Sequence, residues 1–272
     1  MGIFKRKSRI DNNTMKNGAK LITVAKPKSI AAEQFRTVRT NIHFMAVDRR
    51  LKTIAFTSAN ISEGKSTIAA NLAVVWAQEG KSVLLIDADM RRPTLYSTFD
   101  LAGQEGLSTV LSSDQSEVNL NDVIQESGIE GLDLLPSGAV PPNPAELLSS
   151  QRMKVLLEAV QAQYDLVVLD VPPMLEVTDT QTIAGSVDGV VLVVRQGVTQ
   201  KAGVRRAIEL LKMSHAHLLG YVMNDVVPED DAGYGYGYGY GYGYGYGDDY
   251  KEVSYRKRIK HFFRSLAHKV KR

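Results

Sequence analysis

From about residue 51 onward, short apolar runs rich in β-branched residues alternate with amphipathic stretches of helical length. The runs "KTIAFTS" (52–58), "SVLLIDA" (82–88), "LDLLPS" (132–137), "DLVVLD" (165–170), "GVVLVVR" (189–195) and "LLGYVMN" (218–224) predict strands. Helices are predicted over 65–79, 145–163 and 200–213. Strands that are apolar at nearly every position are buried on both faces, and intervening helices supply the crossovers that a parallel sheet needs. The chain therefore reads as an α/β protein with a mostly parallel sheet and helices on both faces. Ligands of such sheets lie beyond the carboxyl ends of the strands, so the chemistry is sought there.

Ahead of the first strand, "SIAAEQFRTVRTNIHFMA" (29–46) predicts a separate helix. Ile30, Val38, Ile42 and Met45 give it an apolar stripe, and Glu33, Arg36 and Arg39 climb it at intervals of three. Residues 1–20 and 228–250 show no periodicity and are expected to be mobile. Beyond them, "YRKRIKHFFRSLAHKV" (255–270) places Ile259, Phe262, Phe263, Leu266 and Val270 on one helical face, opposite a basic one.

Composition narrows the compartment. The 272 residues include no cysteine, which excludes disulfides and thiolate metal sites and suits a reducing cytoplasm. No apolar run approaches the roughly 20 residues of a membrane span. The start, "MGIFKRKSRI", lacks the apolar stretch of a secretory signal, and Arg6 stands where a myristoylation signal needs Ser or Thr.

Charge is unevenly spread. Residues 1–28 hold eight Lys/Arg and one acid, residues 251–272 hold nine and one, and the chain between them is near −12 although the whole is +3. An acidic body with basic ends argues against a nucleic-acid-binding core. It suits an anionic membrane surface or an acidic partner, alongside the plainer reading of solvated tails. The chain thus divides into a basic flexible arm (1–28), a folded domain (29–227), a Gly-Tyr repeat (228–250) and a basic amphipathic tail (251–272).

The folded domain carries a phosphate site. "ANISEGKS" (59–66) follows the pattern Gly-x4-Gly-Lys-Ser, except that Ala59 replaces the first glycine. Such a loop turns backbone N–H groups and a helix N-terminus toward a phosphate. Ser62, Glu63, Gly64, Lys65, Ser66 and Thr67 form the candidate nucleotide-binding set, with Lys65 on the β- and γ-oxygens and the Ser66 hydroxyl on Mg²⁺. A Gly-Lys-Ser-Thr string also occurs in surface turns; its position between an apolar strand and an amphipathic helix favours the phosphate loop. Two further strands end in carboxylates, Asp87 and Asp89 in "VLLIDADMRRP" and Asp170 in "LVVLDVPP". Single strand-end aspartates are usually caps or turn residues. Acids crowded near a phosphate loop need a shared cation, and this fits Mg²⁺.

Together these motifs resemble the bacterial tyrosine kinases, the P-loop family tied to capsule and exopolysaccharide synthesis, over about residues 29–250. The matching elements are the Walker A loop from Ala59 to Thr67, the Walker A′ "LLIDADMR" with Asp87, Asp89 and Arg91, and the Walker B "VVLDVPP" with Asp170 and Pro173. The Glu-x2-Arg-x2-Arg subunit-contact motif matches Glu33, Arg36 and Arg39. The row "GYGYGYGYGYGYGYG" (233–247) looks like the family's terminal tyrosine cluster. The resemblance implies a MinD/ParA-like P-loop fold that uses ATP and Mg²⁺, with 29–227 as the kinase domain and 29–46 as its oligomerisation helix. Lys65, Ser66 and Asp170 would hold the nucleotide and metal, Asp87 would join the metal shell, and Asp89 would deprotonate the incoming tyrosine. Asn224 falls where related P-loop proteins contact adenine, although a turn-forming asparagine reads equally well there.

The resemblance further implies trans-autophosphorylation at Tyr234, Tyr236, Tyr238, Tyr240, Tyr242, Tyr244 and Tyr246 within a ring-like homo-oligomer. It implies regulation of capsular or extracellular polysaccharide polymerisation and export. Lacking transmembrane helices, the chain is similar to the split Gram-positive arrangement. There a membrane protein, the polysaccharide co-polymerase, lends a cytoplasmic activating tail, and a phosphotyrosine phosphatase resets the cycle. A cytoplasmic enzyme recruited to the inner face of the plasma membrane is expected. Two other readings stay open: a MinD/ParA-like regulatory ATPase, against which Asn60 replaces that family's signature lysine, and a non-catalytic nucleotide-dependent scaffold. The basic tail could dock on anionic lipid, bind the activator or fold back on the acidic body, with the lipid and fold-back readings ranking about equal.

Overall fold

In the computed structural model, residues 14–45, 50–113 and 120–226 are described. Seven strands form one sheet: β1 (Thr53–Ser58), β2 (Val83–Asp87), β3 (Gln125–Ile129), β4 (Leu132–Leu135), β5 (Leu166–Asp170), β6 (Gly189–Arg195) and β7 (Leu218–Asn224). Their order is β3-β4-β2-β5-β1-β6-β7. All neighbours run parallel except β3 and β4, which are antiparallel. Every residue of β1, β2 and β5 is buried, which explains why their sequences are apolar runs and not alternations.

Helices cover both faces. The helices are α1 (Thr14–Asn17), α2 (Ile22–Ala25), α3 (Ile30–Met45), α4 (Lys65–Ala77), α5 (Leu95–Phe99), α6 (Leu107–Ser112), α7 (Leu120–Val123), α8 (Pro144–Ser149), α9 (Gln151–Gln163), α10 (Asp179–Ala184) and α11 (Lys201–Met213). On one face, Ile68, Leu72 and Trp76 of α4 pack with Phe56, Leu85 and Val168. On the other, Leu148, Leu156, Ala207 and Leu211 pack with Leu84, Val167 and Leu192. At ~25 cal/mol per Å² of apolar area, each such fully buried side chain contributes about 1.5–3 kcal/mol before entropy is counted. Helix α4 is apolar all round because it is enclosed all round, a consequence of lying in the middle of the sheet.

Four features differ from the sequence expectations. The polar edge strand β3, "QESGI", was not anticipated; its alternating half-buried and exposed positions give no apolar signal. The helix expected over 145–163 breaks at Ser150, whose extended backbone and Oγ, accepting from Met153 N, start a new helix. In α3 the face turned inward carries Ala32 and Ile42, with Phe35 and Val38 partly buried, whereas Ile30 and Met45 are exposed.

The fourth concerns the arm. Its residues 1–13 lie outside the described residues, but 14–26 pack as a strap across α4 and α5. Thr23 is buried, and its N–H and hydroxyl both donate to Asn71 Oδ1, at 3.1 and 2.9 Å. Asn71 Nδ2 in turn donates to the Lys20 carbonyl at 2.8 Å. Ala19 N–H donates to Thr98 Oγ1. Gly18, with φ +70°, lies so close to the Ser97 carbonyl that a Cβ would meet it at 2.3 Å. Helices of four residues are too short to show periodicity, so a strap pinned by these hydrogen bonds and by Leu21 against the core leaves no hydrophobic pattern. The Gly-Tyr repeat and the basic tail also lie outside the described residues.

Candidate active site

The carboxyl ends of the adjacent central strands β2, β5 and β1 lie side by side at one end of the sheet, and their side chains converge there. Between β1 and α4, residues 59–64 form the phosphate loop, and α4 begins at Lys65. The tight positions of this loop are Ser62 (φ 61°) and Gly64 (φ 96°). Ala59 is not left-handed, so alanine replaces the expected glycine there without backbone strain. At Gly64 the left-handed backbone strains any other residue, and a Cβ, 2.1 Å from Asn224 Nδ2, would also displace that amide from the loop.

Glu63 is turned inward, only 1% exposed, and braces the loop from beneath. Its carboxylate accepts from Ala59 N, Asn60 Nδ2 and Thr199 Oγ1 at 3.0, 3.0 and 2.7 Å. What this residue can offer a phosphate is therefore its backbone, not its side chain. Asn60, the position where a MinD-like ATPase would carry a lysine, serves the same brace. Replacing Glu63 by Ala is expected to lower the unfolding free energy by about 3 kcal/mol. It should also loosen the loop and weaken binding of a nucleoside triphosphate about tenfold, checked by denaturant titration and by a nucleotide-binding titration.

Lys65 lies at the centre of the acids. Its Nζ is 2.8 Å from Asp89 Oδ2, 3.0 Å from Asp170 Oδ1 and 3.3 Å from Ser66 Oγ. Burial alone would push the ammonium down, but the Asp170 and Asp89 charges and hydrogen bonds outweigh it and hold Lys65 above its ordinary value. Asp87 and Asp170 face each other in register on neighbouring strands. Asp87 Oδ2 accepts from Thr94 N and Leu95 N at 2.7 and 3.0 Å. Burial, reinforced by Asp170, pushes Asp87 up to about 7, against those N–H groups and Lys65. Burial likewise raises Asp170, opposed by Lys65 and reinforced by Asp89.

Asp87 Oδ1 and Asp170 Oδ2 are buried and have no hydrogen-bond partner. Two such carboxylate oxygens on adjacent strand ends, beside the Ser66 hydroxyl, fit a hard divalent cation, which would satisfy both. Asp89 is fixed differently: its Oδ1 accepts from Arg92 N at 3.1 Å. Arg91 forms a two-pronged pair with the buried Asp179, at 2.8 and 3.2 Å, and that bond raises its pKa.

A cavity of about 910 Å³ opens beside Lys65, and Ser62, Gly64, Ser66, Thr67, Asp89 and Asn224 line it. Asn224 Nδ2 donates to the Glu63 carbonyl at 3.0 Å, so it holds the loop. The sequence reading missed Arg195, which donates to the Ser62 carbonyl at 3.2 Å and to Asp225 Oδ2 at 2.9 and 3.0 Å. Its place at the carboxyl end of β6 was the available signal, the same one that marked Asp170. The strap was also missed; Met15, Asn17, Gly18 and Lys20 line the cavity. The motif residues on α3 stand apart from the site. Arg36 pairs with Glu33 and donates to the Pro27 carbonyl, and Arg39 donates to the Val75 carbonyl at 2.9 Å. The seven candidate acceptor tyrosines lie outside the described residues.

A phosphate loop opening a buried helix, a lysine clamped by strand-end carboxylates and a cavity above them define a P-loop nucleotide-binding protein. Residues 51–220 match the AAA domain family. The chain is 49% identical over 204 residues to tyrosine-protein kinase YwqD of Bacillus subtilis strain 168, covering 75% of this chain and 85% of that one. Solved structures share the fold. The kinase domain of Escherichia coli tyrosine kinase ETK is 34% identical at a TM-score of 0.74, covering 86% of this chain and 89% of that one. The chimerical protein CapA2B2 is 40% identical at a TM-score of 0.70, covering 76% and 92%. The chain belongs to the bacterial tyrosine-protein kinase family. It is a nucleotide-binding protein-tyrosine kinase with a mostly parallel seven-stranded sheet. Among the described residues, no helix is long and apolar enough to cross a membrane.

Proposed function

We propose that this kinase transfers the γ-phosphoryl group of ATP to the tyrosines of its own Gly-Tyr row, in trans between subunits of a ring-like homo-oligomer. The observation that carries this reading is the cluster of Lys65 with Asp89 and Asp170, and Asp87 beside it, in a chain that also holds seven glycine-spaced tyrosines. Mg²⁺, held by Asp87, Asp170 and Ser66, would neutralise phosphate oxygens. Lys65 binds the β- and γ-phosphates, and in moving to them it releases Asp89. The freed Asp89 carboxylate, still oriented by Arg92 N–H, takes the phenol proton. The phenolate oxygen then bonds to the γ-phosphorus as the bond to the bridging oxygen breaks, and ADP leaves. Phosphoryl transfer of this kind needs placement and charge neutralisation more than covalent catalysis. Glycine at every second position lets any phenol of the row reach the cavity.

Further roles rest on the family. Glu33, exposed on α3, and Arg36 and Arg39, half-buried beside it, would make subunit contacts by exchanging their intrachain partners for those of a neighbour. A transmembrane co-polymerase would activate the enzyme at the inner face of the plasma membrane, where the basic ends favour anionic lipid. A phosphotyrosine phosphatase would reset it, and the cycle would govern capsular or extracellular polysaccharide polymerisation and export.

The test mixes two full-length chains with labelled ATP. One is Lys65→Ala and keeps the row; the other keeps Lys65 and has phenylalanine at all seven tyrosines. Phosphotyrosine on the Lys65→Ala chain is expected. Free phosphate without phosphotyrosine would favour a regulatory ATPase, and neither product a scaffold.

A further inference from the structure

Five cations and two carboxylates line the cavity beside Lys65. Three cations are paired: Lys65 with Asp89 and Asp170, Arg195 with Asp225, and Arg91 with the buried Asp179. Both lining carboxylates are thereby used. Lys20 and Arg92 remain, exposed and with no side-chain hydrogen bond or ion pair among the described residues. Each stands on anchored backbone. The Lys20 carbonyl is held by Asn71, and Arg92 N–H by Asp89. The mouth of a site on an acidic body thus presents two unneutralised cations on anchored backbone, and these favour an anionic visitor.

The visitor's chemistry can be read from the row. Gly-Tyr-Gly offers a docking surface nothing but phenols, so recognition must come from what flanks it. Glu229, Asp230 and Asp231 precede Tyr234, and Asp248 and Asp249 follow Tyr246. From Asp231 to Tyr234, extended chain spans about 10 Å, a reach that lets an acid sit on the rim while its neighbouring phenol enters the cavity.

We propose that Lys20 and Arg92 form a docking site for the acidic ends of the tyrosine row of a second copy of the chain. The proposal rests on the kinase reading above and adds the feature by which the enzyme selects its acceptor. It also orders the reaction: Tyr234 and Tyr246, next to the acids, are modified before Tyr240 in the middle.

The test uses the full-length enzyme and three peptides: residues 228–240 as they stand, the same peptide with alanine at 229–231, and the same with lysine at 229–231. Wild type should prefer the acidic peptide to the neutral one by about tenfold in kcat/KM, through KM, and the preference should fade in high salt. In a Lys20→Glu, Arg92→Glu double variant, compared at saturating ATP, the order should reverse, with the lysine-bearing peptide now preferred. Equal use of the three peptides by the wild type would overturn the docking site, as would a double variant that weakens all three alike. If the wild type labelled no tyrosine on peptide or chain, the kinase reading itself would fall and the docking site with it.

Discussion

Replacing Asp87 by Asn is expected to make the metal-free protein more stable at pH 8 and the enzyme at least about a hundredfold slower. Asp87 has a folded-state pKa of about 7, well above the ordinary carboxylate value of 3.8. Between those values the folded protein keeps a proton that the unfolded chain has lost. Stability therefore falls as pH rises through that window, and the loss is complete above pH 7. Asparagine removes the buried charge that causes it. The amide oxygen can still accept from Thr94 N and Leu95 N, and the amide nitrogen can donate toward Asp170, where Asp87 Oδ1 has no partner. The thermal midpoint at pH 8 should rise by about 5 °C, with the gap narrowing toward pH 5. The same change takes a carboxylate oxygen from the proposed Mg²⁺ site, and tyrosine phosphorylation should slow accordingly. A variant that melts lower than the wild type at pH 8 would show that the carboxylate is stabilising as it stands.

Lys65→Met should have the opposite sign in stability and a larger effect on rate. The substitution leaves Asp89 and Asp170 buried and without their cation. Breaking a buried pair from one side costs about 3–5 kcal/mol, because the remaining charges keep their desolvation penalty. Phosphorylation should fall by roughly a thousandfold or more, since the charge proposed to neutralise the transferred group would be gone. Addition of Mg²⁺ should restore the thermal midpoint of Lys65→Met by more than it raises that of the wild type, in which Lys65 competes for the same oxygens. If the variant melted as the wild type does, or gained no more from Mg²⁺, Lys65 could not be the principal counter-charge of these acids.

The parts of this architecture that sequence reasoning reached are those where one physical requirement dominates. Strands β1, β2 and β5 are buried at every position and therefore apolar at most of them, and the phosphate loop must be small and left-handed at Gly64, so both announce themselves. Asp87, Asp89 and Asp170 were legible because a strand end is a fixed address in a parallel sheet. Other features depend on partners distant in sequence. Thr23 holds the strap through Asn71, 48 residues away, and Arg195 steadies Ser62 across 133 residues. Glu63 looks like a phosphate-loop residue by position and is a brace by orientation, a distinction only packing reveals. The inward face of α3 was misread because Ile30 and Met45 are apolar yet exposed, whereas Ala32, too small to count in a stripe, is fully buried.

The pairing of Asp87 with Asp170 across β2 and β5 also bears on how the chain can change length. Neighbouring strands hold their register through every residue they share, and successive side chains point to opposite faces. One residue inserted or deleted within β2 would carry Asp87 about 3.3 Å along the strand and turn it to the other face. The same event in β5 would misplace Asp170 against both Asp87 and Lys65. Length variation compatible with catalysis is therefore confined to the connections between strands, and the ends of β1, β2 and β5 form a ruler that must be inherited whole.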